Sequence, residues 1–153
     1  MIARLTNRAG KSSVVILLLA VLITGVIELG CGGGSTLTIN EVKLKASDLP
    51  GWTLSEEVDA TRANANPKSI IPQLFDAGAT RIINQVFVKN GERVQVNYVQ
   101  MKNPEAAQRA AAMLKKVPGT NNNIGTTGNI TVEVIGAPTN KQLVVQKLNL
   151  TKQ

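Results

Sequence analysis

RIINQVFVKNGERVQVNYVQM, residues 81–101, decides the fold. Asn90-Gly91 is a strong signal for a two-residue hairpin loop, because a type I′ turn needs positive φ at both central positions. The arms on either side are rich in Val, Ile, Phe and Tyr, which suit a pleated, half-buried surface. Lys89 and Glu92 flank the loop as an opposite-charge cross-strand pair. The stretch predicts an antiparallel β-hairpin, and the other elements are placed around it.

Downstream, NPEAAQRAAAMLKKVPG (103–119) predicts a helix. Asn103 suits the N-cap, Pro104 the first helical position and Glu105 the positive end of the dipole. Ala106, Ala110, Met113, Leu114 and Val117 recur at helical spacing as one apolar stripe. Lys115 and Lys116 suit the negative end, and Pro118-Gly119 stops the helix. TNNNIGTTG (120–128) reads as a low-complexity loop with nothing to bury. NITVEVIG (129–136) and QLVVQKLNL (142–150) read as two final strands joined by the turn APTNK.

Upstream, PQLFDAGA (72–79) predicts a short helix opened by Pro72 and stopped by Gly78, with Leu74 and Phe75 buried. TRANANPKS (61–69) is a polar loop, and TLSEEVDA (53–60) a short strand or irregular edge. SDLPGW (47–52) is a Pro-Gly turn. STLTINEVKLK (35–45) reads as a strand with a break at Asn40-Glu41, since Leu37 and Ile39 alternate and Val42 and Leu44 resume after a phase slip. The expected order is β-β-α-β-β-α-β-β. This is an α+β fold, an antiparallel sheet with two helices packed on one face.

A leader precedes the domain. MIARLTNRAGK holds three cations and no acid, and VVILLLAVLITGVI (14–27) is an unbroken apolar run. That is the layout of a secretory n-region and h-region, with the positive charge left on the cytoplasmic side. Glu28-Leu29-Gly30-Cys31 follows. It resembles the lipobox of bacterial lipoproteins, with Gly30 and Cys31 on the family's −1 and +1 positions. Leu29 is larger than usual there, and Glu28 departs from the apolar residue of the family pattern. The resemblance implies lipidation of Cys31, the sole cysteine, and makes Gly32-Gly33-Gly34-Ser35 a flexible tether. An uncleaved span is the other reading. Ser12 to Gly30 is 19 residues, about 28 Å as a helix, which nearly crosses a hydrocarbon core of about 30 Å. The division is thus 1–30 signal peptide or transmembrane anchor, 31–36 tether and 37–153 extracytoplasmic α+β domain. Either anchor holds the domain on the outward face of a bacterial membrane, periplasmic or cell-surface.

DLPGW, LFDAGA, the hairpin and VQMKNPEAA together resemble a family of small secreted or lipid-anchored bacterial proteins of unknown function. Its recurring elements are a Leu-Pro-x-Trp-like entry, a short helix ending in Gly-Ala, and Met-x-x-Pro-x-x-Ala at a helix start. The resemblance covers about residues 47–114. It implies an extracytoplasmic α+β domain, and no activity.

Composition narrows the chemistry. The chain has 153 residues and no histidine, which removes the commonest general base and imidazole metal ligand. One cysteine forms no internal disulfide. Only 3% of residues are aromatic, so Val, Ile, Leu and Ala must build the core. The net charge of +7 is spread thinly, with Lys115-Lys116 the one doublet. Without clustered cations or an aromatic-rich strand, nucleic acid is no expected partner. Glu56, Glu57 and Asp59 form the one acidic cluster, which reads as a solvated edge before it reads as a calcium site. Asp76 reads as a helix residue before it reads as a ligand contact, and Trp52 as a core anchor before a recognition platform. Asn129-Ile130-Thr131 and Asn149-Leu150-Thr151 match the glycosylation sequon.

These features predict a binding or accessory protein of the cell envelope, with no catalytic residue, cofactor or metal. Its expected partners are membrane lipid and other envelope or membrane-complex proteins. The alternatives are a single-span accessory subunit of a larger membrane complex and, more weakly, an envelope hydrolase.

Overall fold

The computed structural model describes residues 36–118 and 123–152. The leader, Cys31 and the glycines of the tether lie outside the described residues. Among the described residues no helix is long and apolar enough to cross a membrane.

The hairpin forms as its sequence dictates. β2 (Ala79–Lys89) and β3 (Glu92–Met101) pair antiparallel, with Lys89 opposite Glu92. Asn90 (φ 50°) and Gly91 (φ 81°) take the two left-handed positions of the turn. β1 (Thr53–Ala60) pairs with the outer side of β2, with a bulge between Leu54 and Glu56. β5 (Ile130–Gly136) pairs with β3, and β4 (Ile124–Thr127) with β5. A two-residue strand β6 (Thr151–Lys152) extends that edge. The order is β1-β2-β3-β5-β4-β6, antiparallel throughout.

β5 over most of its length, and β2 over its middle, where Ile82, Ile83, Gln85, Val86 and Phe87 lie, are buried on both faces, because helices cover both sides. On one face α2 (Ile71–Asp76) and α3 (Pro104–Leu114) pack Leu74, Ala106, Ala107, Ala110, Ala111 and Leu114 against Ile82, Val99 and Ile124. These are the two helices the sequence predicts, on one face as expected. Asn103 caps α3 by accepting from the Ala106 N–H at 2.9 Å. Four buried alanines let α3 lie close to the sheet, and Thr131 on β5 reaches the Ala107 carbonyl at 2.6 Å.

The opposite face corrects two expectations. Residues 35–45 are not a strand. α1 (Ile39–Val42) makes one helical turn, because the Glu41 carboxylate accepts from the Thr38 N–H at 2.7 Å and the Thr38 hydroxyl at 2.8 Å. A 3-10 turn follows at Ala46–Asp48. Likewise QLVVQKLNL is not a strand. α4 (Pro138–Lys147) runs from Pro138 at its first position, and buries Val144 beside half-buried Val145 and Leu148. The paired β-branched valines imitate a strand, but the i, i+4 pair Val144 and Leu148 is what meets the core. A third correction concerns the loop assigned to 120–128. Its end is β4, where Ile124, Gly125 and Thr126 are buried. Gly128 (φ 55°) and Asn129 close a two-residue hairpin between β4 and β5, the position at which a type II′ loop places glycine.

Residues 37–44 cross this face as a strap whose backbone is held by side chains of the sheet. The Leu37 N–H donates to Asn129 Oδ1 at 2.7 Å, and the Ile39 N–H to Gln100 Oε1 at 3.0 Å. The Leu44 N–H donates to the Tyr98 hydroxyl at 3.0 Å, and the Leu44 carbonyl accepts from Gln85 Nε2 at 3.0 Å. Buried backbone groups outside a ladder need such partners. Ile39, Leu44, Leu49 and Trp52 then fill the core over Phe87, Val96 and Tyr98.

Candidate functional site

The cavity with the richest chemistry opens on the α2/α3 face, beyond the end of the helix cover. It has a volume of about 330 Å³, within the range of small-ligand pockets. Its walls are mainly aliphatic, Val58 and Ala60 from β1, Ile70, Leu74 from α2, Val99 from β3 and Leu114 from α3, with the Ser69 hydroxyl at the margin as the exception. Its floor is polar and comes from the three central strands.

Register assembles that floor. Asn84 on β2 lies opposite Asn97 on β3, and Asn97 opposite Glu133 on β5. Asn97 Nδ2 donates to Glu133 Oε2 at 2.8 Å. Asn97 Oδ1 accepts from Asn84 Nδ2 and, at 3.1 Å, from Gln95 Nε2. The carboxyl fixes the whole row. Glu133 takes the nitrogen of Asn97, which turns its oxygen toward Asn84 and Gln95 and commits both of these as donors. One N–H of each of these amides is thus spent inside the row.

Glu133 is the unusual member. It is 5% exposed, yet its Oε1 has no hydrogen-bond partner among the described residues. Burial pushes its carboxyl above the ordinary range, and the Asn97 hydrogen bond offsets this only in part. Among the described residues no other ionisable side chain lines the cavity. Glycoside hydrolysis by a carboxyl pair needs a second carboxyl about 5–9.5 Å from the first. The lining offers none. What the floor can do is accept a hydrogen bond, or a positive charge, from something seated against the aliphatic walls.

The residues singled out by sequence do not converge here. Glu56, Glu57 and Asp59 all stand on β1, but alternation puts Glu56 on one face and Glu57 and Asp59 on the other, where each has its own cation. Glu57 is paired with Lys43 and accepts from Gln85 Nε2 at 2.8 Å. The Lys43 contact, then Gln85, holds the Glu57 carboxyl below its usual range. Asp59 pairs with Arg81 at 2.9 Å. No group of three metal-ligating side chains occurs among the described residues. Asp76 pairs with Arg62 at 2.7 Å on the surface, and Trp52 is a core residue at 8% exposure. The sequon at Asn129 is buried, with Asn129 Nδ2 donating to the Met101 carbonyl at 2.9 Å. Asn149 is exposed.

Sequence reasoning missed Asn84, Gln95, Asn97 and Glu133, although one signal was present. Counting outward from Lys89 and Glu92 across the turn places Asn84 opposite Asn97, two amides facing each other inside apolar strands. Glu133 sits within ITVEVI, an acid inside a strand of β-branched residues.

Comparison with protein-family models, with curated proteins and with solved structures finds no match to this chain.

Proposed function

We propose that this chain is a membrane-anchored, extracytoplasmic binding protein of a bacterial cell envelope, that it acts without catalytic turnover, and that the cavity over Glu133 is where it binds. The observation that carries the binding half is the buried Glu133 carboxyl with an unpartnered oxygen, set in the floor of an aliphatic cavity. Such an atom costs stability unless something occupies it. The location rests on the sequence: the cationic start, the apolar run 14–27, and Gly30-Cys31 before a glycine tether. The resemblance to small lipid-anchored bacterial proteins points the same way. Three acyl chains on Cys31 would anchor durably where a single chain is marginal.

Two measurements on protein made by a bacterium test this. Intact mass should show loss of residues 1–30 and the added mass of a lipid on Cys31. Protease added outside spheroplasts should digest the domain. A chain that keeps its leader and stays attached after Cys31→Ser would make the apolar run the anchor, as the accessory-subunit reading requires. A protected, cytoplasmic domain would overturn the location altogether.

A further inference from the structure

We infer that the cavity over Glu133 selects ligands with a compact aliphatic body and a protonated amine head, the ammonium paired with the Glu133 carboxyl. This rests on the proposal that the cavity is a binding site, and it names the ligand class.

The donor and acceptor pattern carries the inference. Asn84, Gln95 and Asn97 direct their nitrogens along the row, ending at Glu133 Oε2. The position left open is an oxygen, Glu133 Oε1. A ligand group that satisfies it must donate, and the negative charge of the ionised carboxyl repels a carboxylate or phosphate. Between an alcohol and an amine, the carboxyl decides. Either donor makes a charge-assisted bond to the ionised carboxyl, but the ammonium adds a full opposite charge. The walls fix the rest of the ligand. Val58, Ile70, Leu74, Val99 and Leu114 offer aliphatic contact and no polar group, and the volume of about 330 Å³ suits a small body.

No other charge competes for the head. β1, β2, β3, α2 and α3 present only apolar and uncharged polar side chains to the cavity, and Ile124 on β4 stands opposite Glu133. Glu56 on β1 and Arg93 on β3 share the sheet face but lie outside the lining. Asp76, Arg109, Lys115 and Lys116 on or beside α2 and α3 are exposed and also outside it. The ammonium binds the ionised carboxyl, so amine affinity rises with pH as Glu133 loses its proton.

The test uses three isosteric probes, cyclohexylamine, cyclohexanol and cyclohexanecarboxylate. Each is titrated into the full chain in nanodiscs, and binding is followed on the side-chain amide signals of Asn84, Gln95 and Asn97. Cyclohexylamine should bind about tenfold more tightly than cyclohexanol, the ratio expected when both partners of the bond are charged instead of one. The carboxylate should leave the signals unmoved. E133Q should bring the amine to within about twofold of the alcohol. A pH series on the unmodified chain repeats the test without a substitution: amine affinity should climb with pH more steeply than that of the alcohol. Equal binding of amine and alcohol, an amine preference kept in a folded E133Q, or a flat amine profile would overturn the amine inference and leave the binding site standing. No shift with any probe would overturn both.

Discussion

Asn97 and Glu133 face each other across β3 and β5, and their 2.8 Å hydrogen bond orients the cavity floor. Removing the amide should be felt beyond the lost contact. Asn97→Ala leaves Glu133 Oε2 buried without its donor and releases Asn84 and Gln95. The expected loss is about 1–3 kcal/mol, read as the urea midpoint at constant slope. A midpoint within error of the parent would show that the row is not held by Asn97.

The same carboxyl sets a pH dependence. Burial raises the Glu133 pKa in the folded state. The folded chain therefore keeps that proton after the unfolded chain has released it. Its contribution is fully present below the ordinary carboxyl range and declines as pH rises through the folded value. E133Q should gain on the parent in unfolding free energy over that rise. Glu57 has the opposite sign, since its depressed pKa makes stability fall as pH drops through the folded value. Unfolding curves of parent, E133Q and E57Q across the acid range separate the two. A parent-to-E133Q difference that does not change with pH would contradict the buried carboxyl.

Gly91 has φ 81° and nothing within 4 Å of where a Cβ would stand. Gly91→Val is thus a test of backbone conformation without a clash. It should cost about 1–3 kcal/mol, seen as a lower melting temperature. An unchanged melt would deny the left-handed turn.

Leu114 is 3% exposed beneath the end of α3, while Ala112 faces outward. Leu114→Ala should cost about 2–5 kcal/mol, and Ala112→Ser should change little. Equal effects would mean that the buried face of α3 is misassigned.

Tyr98→Phe removes one oxygen from a wholly buried side chain and orphans the Leu44 N–H. A loss of about 1–3 kcal/mol is expected, with faster hydrogen exchange at the Leu44 amide. Unaltered exchange there would mean that the strap does not depend on the tyrosine.

The parts of the fold legible in sequence are those fixed by local chemistry. Asn90-Gly91 set the hairpin, Asn103-Pro104 opened α3 at the right residue, and Gly78 closed α2. The errors fall where a local rule was present but outweighed. Thr38 and Glu41 spelled a capping box, and alternating Leu37, Ile39, Val42 and Leu44 spelled a strand; the carboxylate's bonds to Thr38 won. Gly128-Asn129 signalled a hairpin hidden in polar sequence. The cavity was less legible, because it depends on register across three strands. The turn fixes Asn84 against Asn97, but nothing local tells which strand brings Glu133 beside them.

The strap over residues 37–44 has a mechanical meaning. A pull applied ahead of Leu37 enters the molecule at Asn129 and then at Gln100, at the ends of β5 and β3. It does not begin at β1 or β6, the strands at the margins. Side-chain bonds to Asn129, Gln100, Tyr98 and Gln85 must yield in turn before a backbone ladder bears load. Once freed, those residues would extend by roughly 25 Å, with the strand pairing still in place. The strap would then act as a sacrificial leash, lengthening under tension so that the five long strands and the Glu133 cavity stay assembled.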